Sequence, residues 1–151
     1  MGRILSIDYG RKRTGLAVTD PLKIIPGGLT TVSTHLLWDY LNDYISREQV
    51  ERVVIGRPLQ TNGQASENLQ RVEAFVNRWK KAHSDIPIEY VDERFTSVLA
   101  HRTMLDAGLG RKARQDKALV DEISATIILQ GYMENRNMPG FRPLRFPIEK
   151  L

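Results

Sequence analysis

The stretch ILSIDYGRKRTGLAVTD, residues 4–20, joins two apolar runs through a short loop that contains glycine and three basic residues. Residues 3–8 and 14–20 have the composition of strands, so the loop YGRKR between them predicts a β-hairpin. Asp8 ends the first of these strands. A simple turn, the floor of a phosphate pocket or a metal ligand would each account for an acidic residue at this position.

After the hairpin, the chain alternates between strand-like and helix-like patterns. The β-prone segment at 29–33 predicts a third strand, and VERVVIGRPL and IPIEYVDERF predict a fourth and a fifth. Helical spacing of apolar residues predicts helices over HLLWDYLNDYISRE, after Ser66 as N-cap, over TSVLAHRTMLDAG and over ALVDEISATIILQGYM. We therefore expect an α/β sandwich whose mixed five-stranded sheet has its first three strands antiparallel and its last two parallel to the first.

The length and composition limit the class of protein. The 151 residues fit one domain, which we expect over 3–135, followed by a loose tail at 136–151. Lys and Arg exceed Asp and Glu by 22 to 18, and the pI near 9.5 indicates either a nucleic-acid partner or a solvated basic surface. The absence of cysteine excludes disulfides and thiolate-bound zinc. Without a signal peptide or a membrane-length apolar run, the chain is expected to be cytoplasmic and to have no membrane partner.

Acidic residues occur where the strand and helix patterns would favour apolar ones. Asp8 ends the first strand, and Asp92 and Glu93 end the fifth, where alternation sends their side chains to opposite faces of the sheet. Asp121 shares a face of the last helix with Ala125, and small residues there allow the helix to approach the sheet closely. Because parallel strands present their carboxyl ends along one edge, these acids could converge.

Converging carboxylates repel one another unless a cation lies between them. Oxygen ligands favour Mg²⁺ or Mn²⁺ over zinc, and two such ions about 4 Å apart are the usual arrangement for cleaving phosphodiesters. Each acid also has a structural explanation when it is considered alone. Asp8 can form a turn, Glu93 can pair with Arg94, and Asp121 can be a first-turn helix charge. Only their common position at one sheet edge favours the metal site.

Four motifs together resemble the YqgF (RuvX-like) family. SIDYGRKRTGLAVTD is similar to its Asp-x-Gly…Gly-x-Ala opening, and YVDERFTS to its Asp-Glu-Arg-x-Thr motif. VDEISATIILQ resembles its helical Asp-x-x-x-Ala-x-x-Ile-Leu motif, and GRPLQTNGQASEN its Gly-x-Pro…Gly…Ser loop. Their order and spacing agree over residues 3–135.

This resemblance implies a three-layer sandwich of the ribonuclease H-like type and a metal-dependent nuclease with two Mg²⁺ or Mn²⁺ ions. The family is described both as Holliday-junction resolvases and as nucleases that mature the 5′ end of pre-16S rRNA. By the same resemblance, Asp8, Glu93 and Asp121 are the catalytic metal ligands. Apart from the resemblance, basic residues recur in loops near the acidic edge, where they either bind the phosphate backbone or are solvated charges. The expected contacts to the nucleic-acid strand are Arg11, Lys12, Arg57, Arg94, Thr96, Arg111, Lys112 and Arg114.

The leading interpretation is a nuclease for structured RNA in pre-ribosomal particles, with branched DNA as the close alternative. The protein is expected to be a monomer or a weak homodimer. An actin-like or sugar-kinase-like ATPase also has an Asp-x-Gly phosphate loop, but it needs two such domains and a second glycine-rich loop. A third class is a nucleic-acid-binding module that keeps the fold without cleaving. A cleavage assay distinguishes this last class from the nuclease.

Overall fold

The computed structural model describes residues 2–23, 25–58, 67–92 and 116–135. Five strands lie within these ranges: β1 (Arg3–Tyr9), β2 (Arg13–Thr19), β3 (Pro26–Ser33), β4 (Val50–Arg57) and β5 (Ile88–Asp92). The helices are α1 (Leu37–Arg47), which follows a 3₁₀ turn at Thr34–Leu36, α2 (Leu69–Ala82) and α3 (Lys117–Asn135).

The five strands form one mixed sheet in the order β3-β2-β1-β4-β5. Strand β2 is antiparallel to both β1 and β3, whereas β4 is parallel to β1 and β5 is parallel to β4. This arrangement confirms the mixed sheet predicted from the sequence. The carboxyl ends of β1, β4 and β5 therefore lie along one edge, which we call the carboxyl edge.

The sheet separates two hydrophobic layers, and strand alternation decides which residues enter each. Leu5 and Ile7 of β1 pack with α1 and α2 on one face of the sheet. Ile4 of β1 packs with α3 on the other face, where α3 contributes Ala125, Ile128, Leu129, Tyr132 and Met133. The three layers of the predicted sandwich are thus present, with α3 alone on its face among the described helices.

Two of the element starts that differ from the sequence prediction have a cause in the structure. Strand β3 begins at Pro26, not at residue 29, because Gly27 and Gly28 continue the pairing with β2, and an edge strand tolerates proline. Helix α2 begins after Asn68, not after the predicted cap Ser66. The Asn68 side-chain amide donates a 2.6 Å hydrogen bond to the carbonyl oxygen of Tyr9, which ties the start of α2 to the carboxyl edge.

The predicted helix over TSVLAHRTMLDAG, the basic loop after it and the tail at 136–151 lie outside the described residues. Helix α3 covers the predicted final helix and extends it slightly at both ends. In the described part of the chain, no helix is both long enough and apolar enough to cross a membrane.

Candidate active site at the carboxyl edge

Asp8 lies near the carboxyl end of β1, on the face covered by α3. Strand alternation fixes this orientation, since Ile4 and Ser6 of the same strand contact that helix. Asp8 is half-buried, and its partner across the antiparallel ladder is Gly15 of β2. The acidic group is therefore held on the central strand of the sheet and not in a loose turn.

Helix α3 is fixed against β1 by a buried hydrogen bond. The Ser6 hydroxyl donates to the carbonyl oxygen of Ala125 at 2.8 Å. From this contact, Asp8 lies two residues further along β1, about 7 Å. Asp121 lies four residues before Ala125 in α3, about 6 Å along the helix axis towards the carboxyl edge. Both backbones therefore continue from this contact towards the carboxyl edge, where α3 lies over the β1–β2 pair.

Gly15 shows independently how closely α3 approaches this part of the sheet. A β-carbon placed on Gly15 would collide with the backbone carbonyl oxygen of Asp121. Because Gly15 and Asp8 are directly paired, their substituents point to the same face, and the backbone of α3 at Asp121 lies over this pair. Only glycine at position 15 allows this approach.

Arg13 holds the Asp121 carboxylate. Its Nε donates a 2.8 Å hydrogen bond to Oδ2 of Asp121, and the two side chains are 41% and 22% exposed. Burial raises the pKa of Asp121, while the hydrogen bond and charge of Arg13 and the charge of Lys117 oppose the rise. The carboxylate is thus partly desolvated, and a nearby cation favours its ionised form.

The loop between β1 and β2 is anchored, and it exposes two basic side chains. A β-carbon on Gly10 would collide with the carbonyl oxygen of Arg13, so the turn requires glycine. Thr34 donates from its hydroxyl to the Gly10 carbonyl at 2.7 Å and from its backbone N–H to the Lys12 carbonyl at 2.9 Å. Arg11 and Lys12 are both exposed at this anchored turn.

Of the remaining predicted site residues, one lies within the described ranges and six lie outside them. Arg57 is described: it is the exposed last residue of β4, at the carboxyl edge. Within residues 2–23, 25–58, 67–92 and 116–135, no group of three or more metal-binding side chains is found. The following predicted residues lie outside those ranges: Glu93, Arg94, Thr96, Arg111, Lys112 and Arg114.

The contact of Arg13 with Asp121 was not predicted from the sequence, in which Arg13 is one of three basic residues of the hairpin loop. The alternation of β2 could have predicted this contact, because Arg13 begins the strand and shares its face with Gly15 and Ala17. Ala17 packs in the α3 layer, so the side chain of Arg13 points towards the same helix. Its role therefore differs from that of the exposed Arg11 and Lys12.

Comparisons with known proteins agree with this architecture. The model of the RuvX family, described as a Holliday junction resolvase, matches residues 2–135. This chain belongs to the RuvX family. A relative from Bacteroides fragilis is 62% identical over 138 residues, 91% of this chain and 100% of its own. Another, from Porphyromonas gingivalis, is 64% identical over 135 residues, 89% of this chain and 98% of its own. Both carry the name "Putative pre-16S rRNA nuclease".

Solved structures of resolvases share the fold. The Fowlpox virus resolvase, determined with Holliday junction DNA, has a TM-score of 0.56 at 14% identity and covers 90% of this chain and 99% of its own. Thermus thermophilus RuvC, also solved with a junction substrate, has a TM-score of 0.53 at 14% identity, with 95% and 100% covered. The ribonuclease H-like fold predicted for this RuvX-family protein is thereby confirmed.

Proposed function

We propose that this protein is a metal-dependent nuclease that hydrolyses phosphodiester bonds during maturation of the 5′ end of pre-16S rRNA. The observation that carries the proposal is the close approach of the α3 backbone at Asp121 to Gly15, the residue paired with Asp8, at the carboxyl edge of the sheet. Open α/β sheets bind their ligands at such an edge. The names of the relatives support RNA as the substrate class.

The donor groups at this edge suit a hard divalent cation. Asp8 and Asp121 provide carboxylate oxygens, which Mg²⁺ and Mn²⁺ prefer, and burial disfavours the ionised form of Asp121 unless a cation is near. When bound, one or two such ions would activate water and neutralise charge on the scissile phosphate. Asp8 and Asp121 would hold the metal, and Arg13 would keep the Asp121 carboxylate oriented.

Glu93 is the third ligand in this proposal. Val91 of β5 packs in the α3 layer, so the alternation of the strand predicts the same face for position 93. Its neighbour Asp92 is at the register position beside Arg57, and alternation predicts the opposite face of the sheet for it. The pattern therefore favours Glu93 over Asp92 as the partner of Asp8 and Asp121.

Basic residues around the edge would bind the phosphate backbone. The anchored turn presents Arg11 and Lys12 to solvent a few residues after Asp8, where they can contact phosphates. Arg57 would act at the neighbouring strand end. The other residues predicted to contact the strand are Arg94, Thr96, Arg111, Lys112 and Arg114.

The cellular setting follows from this substrate. We place the protein in the cytoplasm, acting on pre-ribosomal particles as a monomer or weak homodimer, with the activity in the domain at 3–135. Branched DNA is the alternative substrate, since the family description is that of a Holliday junction resolvase. A resolvase that cuts a two-fold junction symmetrically would act as a dimer.

Cleavage of matched substrates tests the proposal. The full chain is incubated with Mg²⁺ or Mn²⁺ and either an RNA that spans the 5′ end of 16S rRNA with its precursor extension or a four-way DNA junction. We expect metal-dependent cleavage of the RNA and its loss with EDTA. Cleavage of the junction but not of the RNA would indicate that the protein resolves DNA junctions and does not process RNA. Binding of both substrates without cleavage would indicate a non-catalytic module.

Arg13→Gln is expected to lower kcat by about 10-fold or more, because removing the group that orients a metal ligand commonly costs this much. The free energy of unfolding should fall by only about 1 kcal/mol or less, since the pair is partly exposed. Kinetics on the RNA and urea denaturation measure the two effects.

Arg47→Gln is the matched control for this variant. Arg47 also donates from Nε to an aspartate Oδ2, that of Asp43 at 2.9 Å, but on α1. It should change stability by a similar small amount and leave kcat unaltered. Equal kcat values for the two variants would show that Arg13 does not position Asp121 for catalysis.

A further inference from the structure

We propose that Tyr90 and Arg57 form a stacking platform for an unpaired base of the nucleic-acid substrate. The proposal rests on the proposed nuclease function and adds a substrate feature, namely a single-stranded segment that passes the β5 edge of the sheet. It assigns to Tyr90 a role that neither the strand pattern nor the motifs indicated.

Tyr90 is exposed where an aromatic ring would ordinarily be covered. It belongs to β5, which ends the sheet, and shares a face with Ile88 of the α1 and α2 layer. Ile88 is 8% exposed, whereas Tyr90 is 40% exposed. The other large hydrophobic residues with similar exposure in the described ranges are aliphatic: Leu22, Ile25 and Leu36. Tyr90 is therefore the one aromatic ring among these exposed residues.

A cation lies beside this ring. The guanidinium carbon of Arg57 is 5.9 Å from the centroid of Tyr90, and Arg57 is exposed and makes no ion pair with any described residue. A guanidinium is weakly hydrated and can bind a phosphate while remaining on an aromatic ring. The pair thus combines a surface for a base with a donor for the adjoining phosphate.

The platform and the proposed catalytic acids lie on opposite faces of the sheet, both near its carboxyl edge. Arg57 is paired in register with Asp92, which lies two residues beyond Tyr90, about 7 Å along the strand. Strand β5 is two strand spacings, about 10 Å, from β1 and Asp8. A nucleic-acid strand that contacts both the acids and the ring must therefore pass the carboxyl edge, from the α3 face to the opposite face.

The chemistry favours an unpaired nucleotide over a base pair. Aromatic side chains beside basic groups bind single strands by stacking, whereas bases in a duplex are already stacked on their neighbours. Burial raises the pKa of the Tyr90 hydroxyl, with Glu73 adding to the rise and Arg57 opposing it. The ring is thus uncharged at neutral pH, and the phosphate would approach from the Arg57 side, away from Glu73.

Binding of labelled oligonucleotides tests this proposal. Fluorescence anisotropy in EDTA, which prevents cleavage, compares a single-stranded RNA with a blunt duplex of the same sequence. Tyr90→Leu is expected to weaken single-strand binding by about 10-fold and to leave duplex binding unchanged, because one stacked base is lost. Tyr90→Phe should bind as the wild type does. Tyr40→Leu is the control, since Tyr40 is a half-buried tyrosine on α1 that stacks on Tyr44.

A loss shared equally by the single strand and the duplex would overturn the proposal, as would wild-type binding by Tyr90→Leu. If this variant does not fold, cross-linking of wild-type protein to RNA that carries 5-bromouracil replaces it. Attachment at Tyr90 would support the platform, and attachment only elsewhere would contradict it. These readouts need no cleavage, so an inactive wild-type protein that showed them would contradict the nuclease function but not the platform.

Discussion

Replacing Asp8 with asparagine is expected to reduce metal-dependent cleavage by about 10³-fold or more while the protein remains folded. The asparagine keeps the size of the side chain but removes the charge that a divalent cation requires. Asp8 lies on the central strand, where its pairing with β2 and the neighbouring β4 fixes the position of its backbone. Single-turnover rates with Mn²⁺ and a circular dichroism melt measure the two quantities.

Asp43→Asn is the control for this change. Asp43 is an exposed aspartate of α1 paired with Arg47, and its replacement removes a carboxylate far from the carboxyl edge. Its cleavage rate should equal that of the wild type. Cleavage by Asp8→Asn at the wild-type rate would mean that Asp8 does not bind the catalytic metal.

The second large effect is expected from a series of glycine-to-alanine changes. Gly15→Ala should destabilise the protein by about 3 kcal/mol, because the new β-carbon meets the backbone of Asp121, which cannot move alone. Gly28→Ala should cost less, since the new atom meets only the flexible side chain of Glu122. Gly131→Ala, in α3, meets nothing within 4 Å and should stabilise the helix by about 0.5–1 kcal/mol.

Urea denaturation of the three variants gives the order of their stabilities. Their cleavage rates give the effect of each change on activity. Gly15→Ala should also lose most activity under conditions where it remains folded, because it displaces Asp121 from Asp8. If Gly15→Ala were as stable and as active as Gly131→Ala, α3 would not sit on β2 as described, and the placement of Asp121 would be wrong.

The strand pattern explains why the fold could be predicted from the sequence. The hairpin of residues 4–20 and the buried runs in β4 and β5 are local signals, and the handedness of parallel crossovers then restricts the strand order. The side of the sheet on which Asp8 lies also follows from alternation, as do the helix residues that face it. These features depend on the side-chain periods of two residues in strands and 3.6 residues in helices, and both periods are visible in a single sequence.

Contacts between distant segments could not be predicted in the same way. Arg13 and Asp121 are 108 positions apart, and their pairing depends on how far α3 slides along the sheet. The Ser6–Ala125 hydrogen bond and the absence of a side chain at Gly15 set that position. Likewise, helix α2 begins after Asn68 and not after Ser66, since Asn68 binds the end of β1. The catalytic roles of Asp8, Glu93 and Asp121 stay predictions.

The most direct test of the central claim is a crystal structure of the wild-type protein grown with Mn²⁺, in which anomalous scattering locates the ion. We predict a manganese peak at the carboxyl edge with carboxylate oxygens of both Asp8 and Asp121 among its ligands, at about 2.2 Å. A peak elsewhere, or Asp8 and Asp121 carboxylates more than about 8 Å apart, would contradict a shared metal site, because paired catalytic ions lie only about 4 Å apart.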